Sequence, residues 1–260
     1  MTVHRLRFEA ASIRLGGFTL DTGSIAPVPG RVTVLLGLNG SGKTTALRAA
    51  SGLVRPSSGR VTLDGEDVCR MSAPRRAARI ALVPQHAQVG APFTVREVVE
   101  LGRVALAADP GRIDGALVSV GLSGLAGRPF ATLSGGQRQR VAVARAIAQH
   151  APGGILVLDE AFAAVDLPEA AALVGLVRRV AASGATVLAA VHELSLAAAL
   201  ADDVWCLRAG ATAAFGPAGD VLAPDSLRAL LGVEVREAPG PGGRSALAVD
   251  YGTTLMARPS

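Results

Sequence analysis

One lysine constrains this chain more than any other residue. Lys43 is a single lysine among 26 Lys plus Arg, and it stands in Gly37-Leu38-Asn39-Gly40-Ser41-Gly42-Lys43-Thr44, which satisfies G-x-x-x-x-G-K-[ST]. The run before it, Val32 to Leu36, is β-branched and aliphatic and reads as a strand buried on both faces. The segment after it, Thr44 to Ser51, reads as a helix ending near Gly52. Glycines between the two let the backbone turn so that successive N–H groups point at an anion, and the helix adds its positive end. Arg is a planar fork, whereas Lys is a compact charge on a flexible stem. An Arg-rich chain that keeps one Lys at this position places a slim cation inside a ring of backbone amides. The loop is therefore expected to hold nucleotide phosphates, with Lys43 on the β- and γ-phosphates and the Thr44 hydroxyl available to Mg²⁺.

Composition excludes other classes. The chain has 260 residues, 50% hydrophobic and 18% charged, which argues against disorder and allows one large domain or two small ones. Cys69 and Cys206 are too few and too far apart for a disulfide framework or a paired-cysteine metal site, and read as buried thiols. The longest uncharged stretches, such as Gly115 to Gly127, fall short of the roughly 18–20 apolar residues of a spanning helix. The start, MTVHRLRFEA, shows no secretion signal. The net charge of +5 is thin and its arginines are scattered, so nucleic-acid binding is not expected.

Short strand-like runs broken by Gly, Pro and Asp occupy residues 3–36, and Arg60 to Leu63 adds another. Ile80 to Val83, Ile155 to Leu158 and Val187 to Val191 are short apolar strands, with helical patterns between them. This alternation predicts a parallel α/β sheet. Residues 88–150 carry no strand signal and read as a helical insertion, with Val95, Val98 and Val99 at helical spacing. The tail after 236, with its APGPGG stretch, reads as a loosely packed extension.

The remaining polar candidates fall at strand and helix ends. Ile155 to Leu158 runs into Asp159 and Glu160, which face the ligand crevice of an open α/β sheet. Asp159 is placed to hold Mg²⁺ and Glu160 to act as general base on an attacking water. Gln85 and His192 follow two other strands on the same rim. The Gln85 amide can touch Mg²⁺ or the lytic water, and His192 can meet the γ-phosphate. Leu133-Ser134-Gly135-Gly136-Gln137 opens a further helix, with Ser134 and Gln137 at capping-box spacing. Its two glycines leave the helix N-terminus bare to an anion.

Together these segments resemble the nucleotide-binding subunit of an ABC transporter over roughly residues 5–236. The resemblance implies an α/β fold: a P-loop NTPase ABC ATPase core with an N-terminal antiparallel β subdomain and an inserted helical subdomain. Residues 1–236 would form the ATPase domain, with the helical part at about 88–150, and 237–260 a C-terminal extension. The resemblance implies ATP as the substrate and Mg²⁺ as the cofactor. Gly37 to Thr45, with Thr44 and Thr45 at its end, would be Walker A. Gln85 would be the Q-loop glutamine, Leu133 to Gln137 (with Ser134, Gly135, Gly136 and Gln137) the signature, Ile155 to Asp159 Walker B, Glu160 the catalytic glutamate, Ala164-Val165-Asp166 the D-loop and His192 the switch histidine. Two copies would face each other, the signature of one closing over the ATP held by the other. Two positions depart from the pattern. Leu15 stands near the place of the usual adenine-stacking aromatic, with Phe18 close but shifted, and Ala161 replaces the common proline after the glutamate.

Residues 93–103, 192–217 and 220–236 look like the ATPases of metal-chelate importers of the iron-siderophore, haem and vitamin B12 type. That likeness implies polytopic membrane permease subunits as partners, a substrate-binding protein acting indirectly, and a peripheral position on the cytoplasmic face of the membrane. An exporter ATPase, another importer class and a soluble non-transport ABC ATPase are the alternatives.

Overall fold

The computed structural model describes residues 5–85, 89–163, 165–239 and 245–250. The chain opens with β1 (Leu6–Leu15) and β2 (Phe18–Asp21), an antiparallel hairpin in which Leu15 pairs with Phe18 across a two-glycine turn. Then come β3 (Val32–Leu36), α1 (Lys43–Ala50), β4 (Ser58–Leu63), β5 (Glu66–Asp67), α2 (Ala73–Ala77) and β6 (Ile80–Val83). The next stretch carries α3 (Val95–Glu100), α4 (Pro110–Ser119) and α5 (Gly135–Gln149), with no strand among its described residues. The chain continues through β7 (Ile155–Asp159), α6 (Leu167–Ala182), β8 (Thr186–Ala190), α7 (Leu194–Leu200), β9 (Asp203–Arg208) and β10 (Ala211–Pro217). It ends in α8 (Ala218–Val221), α9 (Pro224–Leu231), β11 (Val235–Pro239) and β12 (Ser245–Val249).

Ten strands form one sheet in the order β5-β4-β1-β2-β10-β9-β3-β8-β7-β6. From β9 to β6 the neighbours run parallel, as βαβ crossovers require. Every residue of β3, β7 and β8 is buried, because helices cover one face and α1 with the N-terminal strands covers the other. Alternate side chains feed the two cores: Val32, Val34 and Leu36 enter one, Leu35 the other. Phe8 and Trp205 meet edge to face, with ring centroids 4.8 Å apart, in the core shared with α1.

Register levels the site-bearing strand ends. Leu35 is opposite Ala190, Ala190 is opposite Asp159, and Leu158 is opposite Val83. The residues that leave these four strands, near Gly37, His192, Glu160 and Gln85, therefore emerge along one rim.

The helical stretch is divided into separate helices. α3 is capped by Thr94 and Glu97 and buries Val95, Val98 and Val99, but it ends at Glu100. Gly102 then lies so close to α5 that a Cβ there would sit 2.4 Å from the Arg145 carbonyl, and α4 restarts under its own Asp109 cap. The tail also departs from the expected loose packing. Val235 to Pro239 pairs antiparallel with Ser245 to Val249, and Leu247 enters the main core. No helix among the described residues is long and apolar enough to cross a membrane.

Candidate active site

The phosphate loop is built from backbone that only glycine adopts easily. Gly37, Gly40 and Gly42 have φ of 149°, 77° and 110°. A Cβ on Gly37 would lie 2.3 Å from the Leu207 carbonyl oxygen and 2.6 Å from Ser41 Oγ, so strand β9 itself demands the glycine. α1 starts at Lys43 with Gly42 as a left-handed N-cap and no side-chain cap, so its first N–H groups stay open toward the loop. Ser41 is buried and its Oγ has no hydrogen-bond partner. Leu38, Asn39 and Gly40 form the exposed outer bend, and Thr45 is half-buried on α1.

Lys43 lies under this bend. Its Nζ donates to the Gly37 carbonyl at 2.7 Å and to the Leu38 carbonyl at 3.2 Å. Burial lowers its pKa, while Glu160 and Asp159 act to raise it. Next to it, Thr44 Oγ1 donates to Asp159 Oδ1 at 3.0 Å. Burial raises the pKa of Asp159, and the Thr44 hydrogen bond opposes that shift.

Glu160 is the junction of the rim. Gln85 Nε2 donates to its Oε2 at 2.7 Å, and His192 Nε2 lies 2.5 Å from its Oε1. Its side chain is 14% exposed against 42% for His192, so the acid is recessed and the imidazole reaches over it. The Glu160 backbone has φ 53°, a left-handed conformation that a side chain rarely adopts. Ala161 behind it is fully buried, and the Ala163 N–H closes a turn onto the Glu160 carbonyl at 3.0 Å. The Pro-to-Ala departure thus falls in a packed turn that stays closed.

Thus Lys43, Thr44, Asp159, Glu160, Gln85 and His192 converge, although they come from four separate stretches of chain. Ser134, Gly135, Gly136 and Gln137 do not join them. They open α5, whose principal neighbours are α3, α4 and β6. There Ser134 Oγ accepts from the Gln137 N–H at 3.2 Å and Gln137 Oε1 accepts from the Ser134 N–H at 3.1 Å, a complete capping box. Asp166 caps α6 by accepting from the Glu169 N–H at 3.1 Å. Its expected D-loop neighbour Ala164 lies outside the described residues.

Leu15 ends β1 and is 39% exposed. Phe18 packs against the phosphate loop: its Cζ lies 3.2 Å from where a Gly42 Cβ would be. Leu207, whose carbonyl backs Gly37, carries no sequence signal, because backbone contact leaves no side-chain signature. The positive φ of Glu160 is equally silent, since Gly or Asn would have been its usual marker.

Among the described residues no three His, Cys, Asp or Glu side chains form a metal-holding cluster. The oxygen pair Thr44 and Asp159 is a hard donor set suited to a divalent ion that also binds phosphate and water.

The family described as ABC transporter matches residues 21–163. The hemin import ATP-binding protein HmuV of Rhizobium meliloti (strain 1021) is 37% identical over 247 residues, covering 91% of this chain and 94% of that protein. The cobalamin import ATP-binding protein BtuD of Halobacterium salinarum (strain ATCC 29341 / DSM 671 / R1) is 40% identical over 213 residues, or 79% of this chain and 53% of that one. A solved structure described as an inward-facing ABC transporter of metal-chelate type superposes with a TM-score of 0.78 at 24% identity, covering 96% of this chain and 99% of that one, and so shares the fold. The strand–loop–helix unit, the acid at the end of β7 and these likenesses agree: the chain belongs to the ABC transporter family, as one of its ATP-binding, ATP-hydrolysing subunits.

Proposed function

We propose that this subunit powers uptake of a metal chelate of the haem, cobalamin or ferric-siderophore type, with haem first. The curated relatives support the direction and class of transport, since one covering nearly the whole chain is named for hemin import. Residues 1–236 would be the ATPase unit and 237–260 an appendage. Two copies would sandwich ATP under the permease subunits, at the cytoplasmic face of the membrane.

The observation that carries the catalytic reading is the grip on Glu160, whose two oxygens meet Gln85 and His192 at 2.7 and 2.5 Å beside the Thr44–Asp159 pair. Each carboxylate oxygen keeps a lone pair while accepting one bond, so Glu160 can take a proton from a water at its open side. Gln85 and His192 hold the carboxylate in that orientation and are placed to sense whether the γ-phosphate is present. Residues 37–45 would bind the triphosphate through loop N–H groups and Lys43 Nζ. Thr44 and Asp159 would hold Mg²⁺, with Gln85 beside them. When bound, this ion neutralises phosphate charge. Leu15 and Phe18 would flank the base. Ser134 to Gln137 of one copy would close on the ATP of the other, with Asp166 at the same junction.

Glu160→Gln tests the reading. It keeps the shape and removes the base, so ATP should bind and hold two copies together while turnover falls by about 10²- to 10⁴-fold. Turnover at the wild-type rate removes Glu160 as base. The cargo is tested separately, by uptake of labelled haem, ferric siderophore and cobalamin in cells lacking this gene. Haem uptake should be lost. Its persistence, with loss of another chelate, reassigns the cargo.

A further inference from the structure

The C-terminal hairpin lies against the element that carries His192. α7 begins two residues after His192. It has seven residues and its N-cap, Glu193, makes no side-chain cap hydrogen bond. A helix this short depends on what packs against it. Its main partner outside the sheet and α6 is β12. Leu247 of β12 is 6% exposed and shares a core with Leu194, Ala197 and Ala198 of α7.

Val235 and Val249 of the hairpin also pack against that core. A cavity of about 530 Å³ borders Leu247 together with Gly37, Leu38, His192, Glu193 and Val249. Another of about 530 Å³ borders Leu247 together with Arg31, Ala198, Asp202 and Leu222. Leu247 lines both cavities. The first cavity also borders the start of the phosphate loop and His192, which places the hairpin beside the site.

We propose that the β11–β12 hairpin braces the His192 segment and that Leu247 is its positioning residue. By packing on α7 it fixes where the helix starts, and so holds His192 within reach of Glu160. Without the brace, α7 slackens and His192 loses its register with Glu160, while Lys43 and the loop that binds phosphate remain as they are. The proposal rests on the role given to His192 above.

The test uses the full chain. Leu247→Asp should undock the hairpin, lower kcat about tenfold and leave KM for ATP within about twofold, since small misplacements of a reacting group act on turnover. Leu247→Ala should shift kcat the same way by less, and Leu247→Met should restore it. In a His192→Ala background, Leu247→Asp should add nothing, because both changes act through one group. Amide exchange over residues 191–200 should quicken in Leu247→Asp. Faster exchange with unchanged kcat overturns the brace, as does full additivity with His192→Ala. If Leu247→Asp does not fold, Leu247→Ala decides by the same criteria. Wild-type kcat in His192→Ala alone sinks the role of His192 instead, and the exchange data then still report whether the hairpin orders α7.

Discussion

α1 follows a glycine cap that is buried and α5 opens on glycines nearer the surface, and the two helix starts solve the same problem in opposite ways. α1 has a left-handed Gly42 for a cap, no side-chain cap and no acid in its first turn. Its first residue is a buried lysine, which the positive helix end disfavours. α5 is self-sufficient: Ser134 and Gln137 satisfy each other's backbone N–H groups. The start of α1 therefore gains most from an arriving anion, which meets open N–H groups and a buried cation together. The start of α5 is preset and its Ser134 and Gln137 N–H groups are met within its own turn, which is compatible with the proposed closure over a second copy's ATP.

The comparison can be broken at each end. The largest effect should come from Lys43→Ala, which removes a charge-assisted contact to phosphate. ATP affinity, read by equilibrium binding, should fall by about 100-fold, and unchanged affinity would undo the contrast. The next concerns the far end of α5, where His150 is the C-cap, 7% exposed, with neither ring nitrogen partnered. Burial, and then the charge of Arg112, lowers its pKa from 6.5 to about 4. The folded state thus binds this proton less readily than the unfolded one. Stability should fall as pH drops from about 6.5 toward 4, by up to about 3 kcal/mol. Denaturant titrations across that range should show the slope, and His150→Leu should flatten it.

Gly37→Ala forces a Cβ against the Leu207 carbonyl and should cost about 1–3 kcal/mol, with weaker ATP binding as the loop deforms. A melting curve that matches the wild type would mean that the loop tolerates the intrusion. Ser134→Ala should be mildest for the fold, about 1 kcal/mol by denaturation midpoint. Its sharper signature is kinetic: ATP binding to one copy is kept while turnover drops. Loss of binding would place Ser134 on its own chain's nucleotide and erase the distinction drawn here.

Much of the site was legible because its signals are local. Lys43, the Ser134–Gln137 spacing and the acids after Ile155 to Leu158 each announce themselves within a few residues. Their gathering was legible only through the parallel-sheet rule, which sends strand ends to one rim. What escaped depends on distant pairing. β1 meets β4 across the whole phosphate unit, and β10 from the last third of the chain abuts β2. The docking of β12 on α7 escaped too, because a short alternating run after a Gly/Pro stretch says nothing about its partner. Leu15 was singled out by position, whereas the ring of Phe18 is what reaches Gly42, and that follows from the hairpin register rather than from spacing.

The level register of β3, β8, β7 and β6 makes strand length a gauge for the site. Deleting an apolar residue inside β7 would turn Asp159 and Glu160 each to the other face of the sheet, with no change in net charge. Added length between α3 and α4 would leave every one of the four strand ends where it is. Length is therefore sorted by place: a change along the strands moves the rim, whereas a change between α3 and α4 leaves it in position.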